Sequence, residues 1–92
     1  MYLKENYAVQ QNTCLIMIDI GLQFRRAQDL NMLSELVETE AHITATFVDA
    51  TRSYIIDAVV KHLNIKYGNH VYAAINPVNP KIVEVWQREM SI

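Results

Sequence analysis

The sequence predicts an α/β fold class: one small domain spanning 1–92, in βαβαβα order, with helices packed on a three-stranded sheet. Apolar runs at 14–19, 43–49 and 71–76 each end on a short polar residue, Asp19, Asp49 or Asn76. A stretch of helical character follows each run. Strand, polar turn and helix, repeated in that order, is the pattern of a βα-type domain. Residues 7–24 also allow an alternative, an α+β domain opening on an antiparallel hairpin.

Taken in order, residues 1–12 are polar, and 7–13 read as a short strand turning at Gln11 and Asn12. From Cys14 the even positions (Cys14, Ile16, Ile18, Ile20, Leu22, Phe24) are all apolar, whereas the odd positions turn polar after Met17. Period two with β-branched side chains argues for a strand. It ends either near Phe24 or at Asp19, with a helix beginning around Gly21. Residues 29–40 read as a helix capped by Asp29, with Leu30, Leu33, Leu36 and Val37 as its apolar stripe. Residues 42–49 alternate and read as a strand, with Ile43, Ala45 and Phe47 on one face.

The clearest helix is 51–64, where Ile55, Ile56, Val59, Val60 and Leu63 follow the spacing of a buried stripe and Asp49 or Thr51 caps the start. Gly68 or Asn69 suits a turn with positive φ, and 71–75 is a short apolar strand. The segment 76–80 is the strongest breaker. It ends with Asn79 as N-cap and Pro80 at the first helical position, which predicts a final helix with Ile82, Trp86 and Met90 at i, i+4, i+8.

Composition narrows the function classes. Of 92 residues, 51% are apolar. A chain this short buries only about 60–70% of its unfolded surface, so some apolar surface is expected to lie against another chain. The net charge is −2, and the eight Lys and Arg are scattered, with only Arg25 and Arg26 adjacent. A nucleic-acid module usually carries a basic excess or face, so nucleic acid is not an expected partner. No apolar run approaches the ~20 residues of a membrane-spanning helix, and the first residues lack the order of a signal peptide. The single cysteine excludes an internal disulfide. Together these features suggest a cytoplasmic, soluble protein.

Four groups of residues are candidates for function. If the strands are parallel, Asp19, Asp49 and Asn76 gather at one edge of the sheet beside Thr51, Arg52 and Ser53. Two carboxylates there suit Mg²⁺, and free backbone N–H groups suit an anion. The plainer account is that strand-end Asp and Asn start turns and helices. His42, His62 and His70 would share the opposite pole, where imidazoles suit Zn²⁺ or another first-row metal; a helix-end histidine and two surface histidines are the plainer account. Cys14 lies on an apolar face and reads as a small core residue rather than a nucleophile. Ile82, Val85, Trp86 and Met90 of the final helix form an interface patch, Trp86 being the anchor; packing of Trp86 on the sheet is its plainer account.

The favoured expectation is a non-catalytic protein–protein interaction or regulatory protein, an accessory subunit that self-associates (as a homodimer, with a continuous sheet as one form of contact) or joins a complex. No cofactor is called for beyond the divalent metal already mentioned. The alternative is a small enzyme or ligand sensor with a metal- or anion-binding site at the carboxyl edge.

Overall fold

The longest element comes first, and it is a helix. The computed structural model describes the backbone of residues 2–88 and the side chains from Leu15 to Arg88. Helix α1, Tyr2–Asp29, is 28 residues long, or about 42 Å at 1.5 Å per residue. The strand expected over 14–24 is therefore helical. Its apolar residues also contain a helical stripe, Met17, Ile20 and Phe24, and those are the side chains that are buried. Gly21, expected near a strand end, sits mid-helix because β1 passes close by. A Cβ there would lie 2.8 Å from Glu38 Oε2.

α1 stops at Asn31. Its φ is 60°, and the Asn31 and Met32 N–H groups bond to the carbonyls of Gln28 and Ala27 at 2.9 Å each. This is a Schellman closure, in which Asn is the usual second choice to Gly. The chain emerges as β1, Leu33–Glu38, where a helix was expected over 29–40. The physical reason is a bulge between Leu33 and Glu35. The extra residue shifts the alternation, so Leu33 and Leu36 both face the core at a spacing of three, which imitates a helix.

β2, His42–Phe47, follows as expected and pairs antiparallel with β1. Asp49 then accepts from the Thr51 N–H at 2.9 Å and caps a short 3₁₀ turn, Ala50–Arg52, that leads into α2, Ser53–Tyr67. α2 buries Ile56 and Leu63, with Val59 and Val60 against the same core. Gly68 takes the positive φ, 57°. β3, Val71–Ile75, is again as expected.

The final element is β4, Ile82–Gln87, not a helix. Asn79 does bond through its side chain to the Lys81 N–H at 3.1 Å, as a cap would, but the chain turns into a hairpin. An i, i+4 spacing such as Ile82 to Trp86 fits a period of two as well as 3.6, and the run Ile82-Val83-Glu84-Val85 supplies the strand alternation.

Among the described residues the sheet has four antiparallel strands in the order β1-β2-β4-β3. The α+β class stands, whereas the three-stranded βαβαβα order does not, and the hairpin considered for 7–24 is replaced by α1. β2 and β3 both run antiparallel to β4, so they are parallel to each other with β4 between them, a split β-α-β unit. One cluster joins Met17, Ile20 and Phe24 of α1 to Ile56 and Leu63 of α2 through Ile43, Ala45, Phe47, Val71, Ala73, Val83 and Val85. Both helices therefore cover the same face of the sheet, and the alternate residues form an open face.

The two outer edges are blocked differently. β1 carries its bulge and the acids Glu35 and Glu38. β3 has no charge and no proline, the profile of an edge that recruits other strands. Here Asn64 of α2 intervenes. Its amide donates to the Ala73 carbonyl at 2.8 Å and accepts from the Ala73 N–H at 3.1 Å. One side chain thus occupies both outward groups at the middle of β3, as a neighbouring peptide would. A sheet continued across β3 into another copy would have to displace it. We predict that Asn64→Ala costs about 1–3 kcal/mol by stranding both groups, read by urea denaturation, and adds a concentration-dependent association seen in sedimentation velocity. An unchanged midpoint would show the clamp to be idle.

Candidate functional site

The open face carries a row of side chains across three strands. Register places His42 opposite Trp86 and Trp86 opposite Tyr72. The His42 and Trp86 rings stack with centroids 5.2 Å apart and planes 11° from parallel. Tyr72 packs on Trp86 at 5.5 Å and 36°, and the Arg88 guanidinium lies 5.2 Å from the Tyr72 centroid, within cation–π range. Beside this row Glu84 lies 3.7 Å from His42 Nε2 and accepts from the Asn76 amide at 3.2 Å.

Thr44 Oγ1 is 3.4 Å from the same His42 Nε2. A hydroxyl–imidazole–carboxylate relay needs the hydroxyl and the acid on opposite ring nitrogens. Here both meet one nitrogen, so the group is a positioning network rather than a proton relay.

The expected interface residues divide. Ile82 and Trp86 are half-buried on the open face, whereas Val85 is wholly buried in the core. They lie on a strand rather than a helix, so neighbours in sequence point to opposite sides. Met90 lies outside the described residues, as does the side chain of Cys14.

The carboxyl-edge group is also divided. Asp49 and Asn76 do share one pole, because β2 and β3 are parallel. Asn76 Oδ1 accepts from the Val78 and Asn79 N–H groups at 2.8 and 3.0 Å, so its oxygen closes the β3–β4 hairpin. Asp19 sits in α1 far from that pole. It accepts from the Tyr67 hydroxyl and lies 3.8 Å from Lys66 Nζ, clasping α1 to the end of α2. Burial, aided by the hydrogen bond to Asp19, pushes the Tyr67 hydroxyl above its ordinary value of 10.0. Thr51, Arg52 and Ser53 open α2 as expected and are exposed.

His42 and His70 do open β2 and β3 at one pole, but His42 lies on the open face while His62 is exposed on α2, on the other side of the sheet. Among the described residues no three His, Cys, Asp or Glu side chains form a group able to hold a metal ion. Among the same residues no helix is long and apolar enough to cross a membrane.

Two surfaces were not evident from strand patterning. On α1, Leu15, Ile18 and Leu22 remain 62%, 56% and 52% exposed, at the i, i+3, i+7 spacing of a second apolar stripe opposite the buried one. At the pole shared by Asp49 and Asn76, Leu30, Val48, Tyr54 and Val78 are all exposed, and a hollow of about 190 Å³ opens beside Val48. The spacing of the first surface is present in the sequence; the second exists only once three loops and the start of α2 are brought together.

Comparison with protein-family models, curated proteins and solved structures finds no match for this chain.

Asp49 makes a pH-dependent contribution. The hydrogen bonds from Thr51, helped by Arg52 and Lys81, hold its carboxyl below the ordinary 3.8. A folded-state value lower than the unfolded one gives stability that is fully present above about pH 4 and is lost as pH falls through the lowered value. Asp49→Asn, which still caps, should therefore narrow the difference in melting temperature between neutral and strongly acidic buffer. An undiminished difference would assign the acid sensitivity to other carboxylates.

Proposed function

We propose that this protein is a non-catalytic interaction domain, an accessory or regulatory subunit that acts by self-association or by joining a complex. A cytoplasmic setting fits its single cysteine. The observation that supports this reading is the second stripe on α1. An ordinary surface helix has one apolar stripe and a polar opposite side. α1 buries Met17, Ile20 and Phe24 against the sheet and presents Leu15, Ile18 and Leu22 away from it. A helix apolar on both sides suits the middle layer of an assembly, and this supports the interaction reading. Trp86 and Ile82 on the open face add a second area of the kind that anchors contacts.

The reading is tested on the helix. Leu15→Glu with Leu22→Glu leaves the buried stripe intact, so far-ultraviolet circular dichroism should not change. Sedimentation velocity of the wild type should give a mass above the 10.6 kDa of one chain, and the double variant should fall to that mass. If the wild type associates and the variant does so equally, the helix is not the contact. A second measurement concerns the core. Val85→Ala should cost about 2–3 kcal/mol without altering association at concentrations where the variant stays folded.

A further inference from the structure

The pole that gathers the end of α1, the end of β2, the start of α2 and the β3–β4 hairpin has the anatomy of a docking site. Its loops are tied to one another. The Val48 N–H donates to the Met32 carbonyl at 3.0 Å, and the Phe47 N–H donates to the Lys81 carbonyl at 2.7 Å. The hollow between them has Met32, Phe47, Val48 and Ile55 in its wall, with Asp49 and Arg52 at its polar side. About 150 Å³ of apolar cavity is enough to take a benzene-sized group, so 190 Å³ has room for one aliphatic or aromatic side chain. Leu30, Tyr54 and Val78, on the loops and the α2 start that meet at this pole, are exposed and add apolar surface to it.

The rim selects the partner. Arg52 and Lys81 both act on Asp49, and Asp49 is the acid to which the hollow gives access. Its carboxylate is already engaged by the Thr51 N–H. Neither Arg52 nor Lys81 has a carboxylate within ion-pair distance among the described residues. Of the charged groups these contacts place at the hollow, two, Arg52 and Lys81, are positive and one, Asp49, is negative, on a chain whose net charge is −2. A bilayer presents no single side chain to such a concavity, which favours a protein segment over a lipid surface.

We infer that this pole binds an acidic peptide segment of a partner protein, which inserts one apolar side chain among Met32, Phe47, Val48 and Ile55 and pairs flanking carboxylates with Arg52 and Lys81. The inference rests on the interaction reading above but uses a surface separate from the α1 stripe, so either can fail alone.

The test is a titration of the ¹⁵N-labelled protein, followed by amide chemical shifts, with three nine-residue peptides. The first has a central leucine between pairs of glutamates, with serine and glycine ends. The second replaces the leucine by alanine, and the third replaces the glutamates by lysines. The first should shift Met32, Val48, Asp49, Arg52 and Ile55. The alanine peptide should bind at least about tenfold more weakly, in line with the loss of one buried leucine, and the lysine peptide should not bind. Arg52→Glu with Lys81→Glu, both exposed side chains, should weaken the first peptide at least about tenfold and leave the association through α1 unchanged.

Four results would overturn the inference. The first peptide could leave these amides unmoved through the millimolar range. The lysine peptide could act as strongly. The same amides could shift on dilution of the protein alone, which would place a second copy there. They could also respond only to phosphatidylserine vesicles, which would make the pole a membrane contact.

Discussion

The sheet depends on β4 reaching the slot between β2 and β3. Those two strands are parallel and do not touch as a pair. Without β4 the sheet would be split in two, the β1–β2 hairpin under α1 and β3 beside α2. β4 supplies Val83 and Val85, both with no exposed surface, and it hydrogen-bonds on both sides. Most of its pairing with β2 spans about forty residues of chain, so the loop entropy is lost before the contact returns anything. What compensates is the closure of one apolar cluster that includes both helices. The one-sided placement of the helices, the open aromatic row and the shared pole of Asp49 and Asn76 all follow from that insertion.

Parts of this architecture are legible in the sequence, and the reasons are specific. Residues 42–47 alternate cleanly because the strand has a buried face and a solvated one. Residues 53–67 repeat at helical spacing because α2 packs along one side. Ile43, Ala45, Phe47, Ile56 and Leu63 can be placed in the core on that basis alone. The remaining elements are ambiguous for physical causes. In α1 the apolar residues are so dense that periods of 2 and 3.6 both fit, because the helix carries two stripes. In β1 a bulge turns a strand into an i, i+3 pattern. In β4 the Ile82–Trp86 interval suits either structure, and Asn79-Pro80 makes the same local hydrogen bond in a hairpin that it makes at a helix start. Each ambiguity is resolved by a partner distant in the chain: Glu38 over Gly21, the core under Leu36, and β2 and β3 beside Val85.

The candidate site was legible only in its ingredients. Asp49 and Asn76 do come to one pole, because the parallel relation of β2 and β3 survives the insertion of β4. Asp19 does not, because the segment that contains it is a helix. The row from His42 to Arg88 depends on cross-strand register, which no local pattern specifies. Trp86 stood out as a prominent aromatic and His42 as a candidate metal ligand, but that Trp86 lies between His42 and Tyr72 was not legible, since they are 44 and 14 positions away along the chain.

Asn64 also limits the kind of assembly this protein can form. A sheet edge that accepts one more strand presents a new edge in turn, and growth of that kind has no natural end; stacked strands of this sort build fibrils. With the centre of β3 held by an amide and β1 bent by its bulge, neither side of the sheet offers that route. Any association of copies is then left to the helix or the faces, where a two-fold contact uses up the surface on both partners and stops. A single side chain on α2 thereby closes the β3 edge to the strand addition from which open-ended polymers grow.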